Sequence, residues 1–184
     1  MTVARVACRA QQGLAAPLVQ VEVSLAPGLP AFCIVGLPAT VVRESKERVR
    51  SALLHSRFEF PAGRITVSLS PADLPKEGGR FDLPIALGIL LASGQLRAAE
   101  TKEPREFYGE LGLTGELKPV RGLLLAAVHA RRSSRKLMKR AERVQIPCHG
   151  ASGAVSRTYI GCARGAAPYW SQRRRPCPES GQNE

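Results

Sequence analysis

The sequence predicts an α+β fold in which helices pack on one face of a mixed β-sheet. Short runs that alternate apolar and polar residues, such as 19–25, are typical of half-buried strands. The segment 38–56 repeats its apolar residues with a helical period, and its other face is charged. The segment 82–93 is apolar almost throughout, which indicates a helix buried on most sides.

The first half of the chain is predicted to hold most of the strands. Strands are expected at 3–10, 19–25, 32–35 and 64–69. The turns between the first three are too short for crossover helices, so these three are expected to form an antiparallel meander. In the helix 38–56, Thr40 is the expected N-cap, and Glu44 and Arg48 are spaced to form an ion pair.

The stretch 67–94 is the centre of the prediction, because a polar loop lies there between a strand and the buried helix. Loops held between rigid elements often carry function. Gly78 and Gly79 allow a positive φ or a close backbone approach. Asp82 is the expected N-cap of the helix, and Gly94 is its expected C′ residue.

The part of the chain after this helix is predicted to add a hairpin and one more helix. Thr114-Gly115 separates two alternating runs, which is a hairpin signal. The last helix is expected at 121–130, so the predicted element order is β-β-β-α-β-α-β-β-α.

Charge divides the chain near residue 130. The net charge of the 184 residues is +12, of which residues 1–130 carry +3 and residues 131–184 carry +9. A folded domain is therefore predicted at 1–130, followed by a basic, mostly irregular or disordered tail at 131–184. No apolar run is long enough for a transmembrane helix and no signal peptide is evident, so a cytoplasmic protein with free cysteines and no membrane partner is expected.

Four motifs in the first 130 residues closely resemble the N-terminal domain of the ComM/YifB family. They are APLVQVEVSLAPGLPAFCIVGLP, VVRESKERVRSALLHSRFEFP, RITVSLSPADLPKEGGRFDLPIALGILLASGQL and YGELGLTGELKPVRG. The resemblance implies a magnesium-chelatase-like AAA+ ATPase whose N-terminal domain has the fold of ribosomal-protein-S-five domain two, shared with the Lon protease domain. It also implies ATP and Mg as cofactors of the intact protein, and a role in DNA branch migration during natural transformation.

The chain departs from this family in the residues that would perform chemistry. It contains no G-x-x-x-x-G-K-[ST] motif, so no P-loop can hold nucleotide phosphates, and Gly78-Gly79-Arg80 is too short to replace one. By resemblance to the Lon-type Ser–Lys dyad, Ile85 stands at the nucleophile's position and Leu124 at that of the lysine. We therefore expect no catalytic residue, no cofactor and no enzymatic activity in this chain alone.

The remaining expectation is a binding or assembly role. The candidate contacts with DNA or another domain are Lys46, Arg50, Lys76 and Arg80, with Arg43 and Arg48 beside them. The expected partners are DNA, an AAA+ module or a full-length homologue. The alternative interpretation of these cations is an ordinary solvated helix face.

The sequence offers two candidate sets of metal ligands, and a metal site is predicted at neither. Asp73, Glu77 and Asp82 offer oxygen ligands, but Asp82 is better placed as a helix cap. A second set in the tail, with no C-x-x-C pair, consists of Cys148, His149, Cys162 and Cys177.

The resemblance stops between residues 131 and 137. The expected explanation is a frameshifted or otherwise truncated product of a longer gene, and the alternative is a stand-alone module that acts with an ATPase partner.

Overall fold

A computed structural model describes residues 2–97 and 104–138, together with the backbone of two short strands further along the chain. The helices are α1 (Thr40–His55), α2 (Asp82–Ala92) and α3 (Leu123–Arg132), and a 3-10 turn (Gly79–Phe81) precedes α2. The strands are β1 (Thr2–Arg9), β2 (Leu18–Ala26), β3 (Ala31–Val35), β4 (Arg64–Ser70), β5 (Arg105–Phe107), β6 (Glu110–Leu111), β7 (Leu117–Lys118), β8 (Lys136–Met138), β9 (Val144–Ile146) and β10 (Ser156–Thr158).

The main sheet is mixed, as the sequence predicts, and has six strands in the order β3-β4-β2-β1-β5-β8. β2 pairs antiparallel with β1 on one side and with β4 on the other. β3 runs parallel to β4, and β1, β5 and β8 run parallel to one another. The α+β class is therefore confirmed.

The predicted antiparallel meander of the first three strands is wrong. β3 pairs with β4, which lies between β3 and β2 in the sheet. The connection 27–30 only has to cross one intervening strand, a distance of about 10 Å that four extended residues can span. The 16-residue helix α1 then provides the long crossover that a parallel β3–β4 pair requires.

α2 forms the centre of the core. Ten of its 11 residues are buried, which confirms the prediction of a helix covered on most sides. It lies against β1 and β2, and Gly88 makes the closest approach: a Cβ built there would lie 2.4 Å from Cγ2 of Val23 and 3.9 Å from Cγ2 of Val6. Within the described residues, no helix combines the length and the apolar character needed to cross a membrane.

α1 covers α2 with a stripe of buried residues that repeats with the helical period. The buried members are Val42, Ser45, Val49, Ala52 and Leu53. The predicted N-cap is wrong, because Thr40 is the first helical residue and Ala39 takes the cap position without a side-chain hydrogen bond. The helix is instead anchored by its backbone, since the Ala39 amide donates to the Lys76 carbonyl over 3.1 Å.

The prediction for α2 is wrong at its N-terminus and correct at its C-terminus. Asp82 is the first residue of the helix and Phe81 the N-cap, so the predicted capping role of Asp82 is wrong. Gly94 follows the C-cap Ser93 with φ of +75°, and its amide donates to the Leu91 carbonyl, which confirms it as the C′ residue.

The hairpin prediction is confirmed, since β6 and β7 pair antiparallel around Gly115, which has φ of +81°. Two short strands of the main sheet, β5 and β8, were not predicted. β8 ends at Met138, so the sheet continues past residue 130, although the division of the chain at 130 stays a prediction. β9 and β10 form a separate antiparallel pair within the predicted irregular tail.

Because Gly88 lies so close to Val23, replacing this glycine with alanine is expected to destabilise the domain. In most helix interiors, glycine to alanine stabilises by about 1 kcal/mol. Here Gly88→Ala is expected to lower the free energy of unfolding by roughly 1–3 kcal/mol, because its Cβ meets Val23. Urea unfolding measures this change. Val23→Ala is the matched background, because it removes the side chain that the new Cβ would meet. In that background Gly88→Ala should lower the free energy of unfolding much less. An equal loss in both backgrounds would show that the contact with Val23 is not the cause.

Candidate functional site

The candidate site is the loop 71–81 between β4 and α2. Its two glycines take the roles that the sequence predicts. Gly78 has φ of +76°, a conformation that favours glycine. Gly79 lies under the side chain of Glu110, where an added Cβ would come within 2.5 Å of the carboxylate. The loop is thus fitted closely against the hairpin that begins at β6.

Lys76 is buried inside this loop. Its ammonium donates to the carbonyl oxygen of Pro71, at the start of the same loop. Its own backbone bridges to Pro38 and accepts from the Ala39 amide, at the entrance to α1. Burial lowers the pKa of the Lys76 ammonium, and the nearby charge of Asp73 opposes this shift. Lys76 therefore closes the loop and is not presented to solvent.

Arg80 is also buried, with 8% of its surface exposed, and it joins two distant parts of the chain. Its Nη2 donates to Oε1 of Gln11 and to the carbonyl oxygen of Arg121, both over 3.0 Å. These contacts connect the loop to the end of β1 and to the entrance of α3. In this conformation the guanidinium is engaged inside the domain, so neither Arg80 nor Lys76 lies on an open phosphate-binding surface.

Asp82 is the buried carboxylate of the site. It accepts from Nε of Arg48 over 2.7 Å, from Nη2 of Arg48 over 3.1 Å and from the Leu111 amide over 3.1 Å. Burial raises the pKa of Asp82, while the hydrogen bonds from Arg48 oppose that rise. Arg48 thus pairs with Asp82, and the described ion pairs do not include the predicted Glu44–Arg48 pair.

A second buried polar cluster, which the sequence analysis did not identify, lies between β1 and β5. Nε and Nη2 of Arg9 both donate to the carboxylate of Glu106, and the hydroxyl of Tyr108 donates to it over 2.6 Å. Burial raises the pKa of Tyr108 well above its usual range, and it raises that of the neighbouring Cys8 to about 12. The sequence signal for this cluster was Arg9 within the predicted strand 3–10, and the structure shows that the last four residues of β1 are buried.

The positions of the Lon-type dyad carry no reacting group. Ile85 is fully buried in α2, and Leu124 is 77% exposed on α3. The carboxylate of Asp82 is occupied by Arg48 and Leu111. The arrangement can therefore hold elements together, but its described side chains do not form an activated nucleophile.

The other predicted contact residues lie on α1. Arg50 is exposed and lies over the ring of Phe60, with its Cζ 5.0 Å from the ring centroid. Lys46 is half-buried. These two residues, unlike Lys76 and Arg80, face outwards enough to contact a partner. Whether they do so stays a prediction.

Of the two candidate sets of metal ligands, the one in the loop 71–81 and at Asp82 lies within the described residues. Asp73 and Glu77 are exposed, whereas Asp82 is buried against Arg48. Within residues 2–97 and 104–138, no group of three or more His, Cys, Asp or Glu residues could hold a metal ion. The tail set, Cys148, His149, Cys162 and Cys177, lies outside the described residues.

Comparison with known proteins agrees with the motifs. Residues 21–140 match the family model of the ChlI subunit of Mg-chelatase, which is more than half of the chain. The chain belongs to this family. It is 55% identical over 138 residues to competence protein ComM of Haemophilus influenzae, a match that covers 75% of this chain and 27% of that protein.

Two further relatives carry the name YifB. The protein from Salmonella typhimurium is 49% identical over 142 residues, which cover 77% of this chain and 28% of the relative. The protein from Escherichia coli is 50% identical over 138 residues, covering 75% and 27%. The resemblance to the ComM/YifB proteins is confirmed, and the match spans about a quarter of the length of these relatives.

The Arg48–Asp82 pair predicts a pH-dependent loss of stability. Arg48→Ala leaves a buried carboxylate without its cation, so the free energy of unfolding should fall by about 3 kcal/mol at neutral pH. The pKa of Asp82, already raised by burial, should rise further in the variant. An unfolded aspartate titrates at about 3.9, so the penalty is complete above the raised folded pKa and is lost as the pH falls from there towards the unfolded value.

Urea unfolding at neutral pH and at about pH 4.5 tests this prediction, with the loss expected to shrink at the lower pH. Arg50→Ala on the same helix is the matched control, because Arg50 is exposed and has no buried carboxylate partner among the described ion pairs. The role of the pair would be contradicted if Arg48→Ala lost no more unfolding free energy than Arg50→Ala. It would also be contradicted if the loss for Arg48→Ala grew at the lower pH.

Proposed function

We propose that this chain is the non-catalytic N-terminal domain of a ComM/YifB-type magnesium-chelatase-like AAA+ protein. Its role is to hold and orient the ATPase module of such a protein during ATP-dependent DNA branch migration in natural transformation. The observation that carries the proposal is the 55% identity to a competence protein over the folded region. The fold proposed is that of ribosomal-protein-S-five domain two, related to the Lon protease domain.

The geometry of the loop 71–81 supports an assembly role over a catalytic one. Loops that perform chemistry present their polar groups to a substrate. Here the side chain of Lys76 bonds within the loop, and that of Arg80 bonds to Gln11 and Arg121. Asp82 is likewise held by Arg48. The loop therefore holds neighbouring elements of the domain together. A domain held in this way can orient a larger module attached to it.

In this proposal, ATP and Mg are cofactors of the intact protein, and no residue of this chain binds them. The chain lacks the Gly-Lys pair of a P-loop, so the phosphates would be held by the attached AAA+ module. The proposed partners are accordingly an AAA+ module or a full-length homologue, and DNA acts as the substrate of the assembly. The proposed location is the cytoplasm.

A domain exchange tests this function. In a full-length chimera, the 138 matched residues of this chain replace their counterparts in the H. influenzae competence protein. The chimera should support transformation within about threefold of the parent protein, because more than half of the exchanged residues are identical. A soluble chimera that hydrolyses ATP but fails to transform would overturn the proposed function.

The second candidate is a stand-alone DNA-binding or assembly module that acts with an ATPase partner. The exposed cation of Arg50 and the half-buried Lys46 on α1 favour it. A phosphate backbone could reach an exposed cation at these positions.

DNA binding by α1 would depend on salt and on these two residues. Filter binding of the 184-residue chain should weaken as salt rises, and the double change Lys46→Ala, Arg50→Ala should reduce the slope of log affinity against log salt by about 1–2. The double change Arg5→Ala, Arg64→Ala, which removes two exposed cations from β1 and β4, is the matched control for loss of charge. If both variants reduce the slope equally, or if all binding resides in 139–184, α1 is not the interface.

A further inference from the structure

β3 forms one edge of the main sheet, and its outer side is open. β3 stands first in the strand order, and among the described strands it pairs only with β4. Alternate backbone N–H and C=O groups on its other side therefore have no strand partner within the described part of the chain. An edge of this kind can pair with a further strand, and natural sheets usually protect it with charged side chains, proline or a bulge.

The sequence around β3 lacks the charges that usually protect an edge. No charged residue occurs between Glu22 and Arg43, although charged residues make up 23% of the chain. Pro30 and Pro38 lie outside the strand, one before it and one after it, so neither removes a backbone donor within residues 31–35. All five residues of β3 are therefore able to pair.

The exposed side chains of β3 are small or apolar. Its second and fourth residues face the core, whereas its first, third and fifth residues are exposed: Ala31, Cys33 and Val35. On the adjacent strand β4, the residues in register with Cys33 and Val35 are the polar Thr66 and Ser68. An exposed apolar row along an unpaired edge is typical of a surface that contacts another chain.

The order of the exposed residues indicates what that other chain is. If two β3 strands pair antiparallel and the pair is centred on Cys33, Ala31 of each copy faces Val35 of the other. The same register brings Leu29, before the strand, towards Leu37, after it, and these leucines are 86% and 59% exposed. Each exposed apolar residue then lies opposite another, and no charges meet. A surface that is complementary to itself fits a two-fold symmetric pair of identical chains.

We propose that the outer edge of β3 joins two copies of this chain by antiparallel β3–β3 pairing, so that their main sheets become continuous. The inference does not depend on the proposed function, because it uses only the edge and its side chains. Backbone hydrogen bonds supply the pairing, and cross-strand contacts of residues 31, 33 and 35 add to it. The contact is small, so the dimer is expected to form between roughly 1 µM and 1 mM.

Disulfide formation at Cys33 tests the register. The Cα atoms of directly opposed residues in an antiparallel pair lie about 4.5–5.5 Å apart, a distance that a disulfide bridges. The test protein is the 184-residue chain with Cys148→Ser, Cys162→Ser and Cys177→Ser, which retains Cys33 and the buried Cys8. Oxidation with diamide should give a dimer linked through Cys33. Failure to link within the concentration range of the dimer would overturn the proposal.

Two further variants distinguish this register from random collision. Both add Cys33→Ser to the three serine changes, and one carries Ala31→Cys while the other carries Val35→Cys. Like positions lie roughly 14 Å apart in the proposed pair, so each variant should link to itself poorly. An equal mixture should form the mixed disulfide at least roughly fivefold faster. If each variant links to itself as fast as to the other, the proposed register is wrong.

A lysine on the edge gives an independent measurement in the chain with its natural cysteines. Val35→Lys should raise the dissociation constant of the dimer at least about tenfold in sedimentation equilibrium, because pairing would desolvate the ammonium. The melting temperature of the monomer should not change, since Val35 is 43% exposed. Val3→Lys is the matched control, because Val3 is 58% exposed on β1. Ala31→Lys is the second edge variant, should Val35→Lys impair folding.

The same sedimentation experiment can contradict the proposal in two ways. The proposal is wrong if the chain stays monomeric up to about 1 mM. It is also wrong if Val35→Lys and Val3→Lys weaken the dimer equally, because the edge is then not the interface.

The unaltered chain examines the remaining occupant, which is its own tail. If diamide links Cys33 to Cys148, Cys162 or Cys177 of the same chain in preference to Cys33 of a second copy, the tail covers the edge and the proposal is wrong. If Cys33 links preferentially to Cys33 of a second copy, the proposal stands.

Discussion

The ion pair between Arg48 and Asp82 is the interaction on which the arrangement of the domain depends. It joins the middle of α1 to the first residue of the buried helix α2, and Asp82 also accepts from the Leu111 amide in the hairpin. One carboxylate thereby fixes three elements that meet only in the folded chain. Removing its cation would leave a desolvated charge at the start of α2, so a change at Arg48 acts on α1, α2 and the hairpin together.

The loop 71–81 ends directly before Asp82, and its buried charged side chains bond within the domain. Its lysine and arginine satisfy carbonyl oxygens within the domain, and the position of the Lon-type nucleophile is the buried Ile85. The chain belongs to the ChlI family, and its match to the competence protein covers 27% of that protein's length.

The elements with local signals were predictable from the sequence. The alternation of β2, the stripe of α1, the buried α2 and the hairpin at Gly115 all follow from side-chain period and turn chemistry, which act over a few residues. The parallel placement of β3 and the short strands β5 and β8 were not predictable, because each depends on a neighbour far away in the chain. The same holds for Arg9, whose partner Glu106 is 97 residues away.

The sequence by itself determined the fold class, the family and the lack of a P-loop, because periodicity and motifs are patterns of residues that are close together in the chain. Only the tertiary structure decided what the charges do. Of the four candidate contact residues, Lys76 and Arg80 turned inwards, whereas Lys46 and Arg50 stayed on the outer part of α1. It also decided that the outer edge of β3 pairs with no described strand. Burial depends on which elements pack together, and that packing is a property of the whole fold.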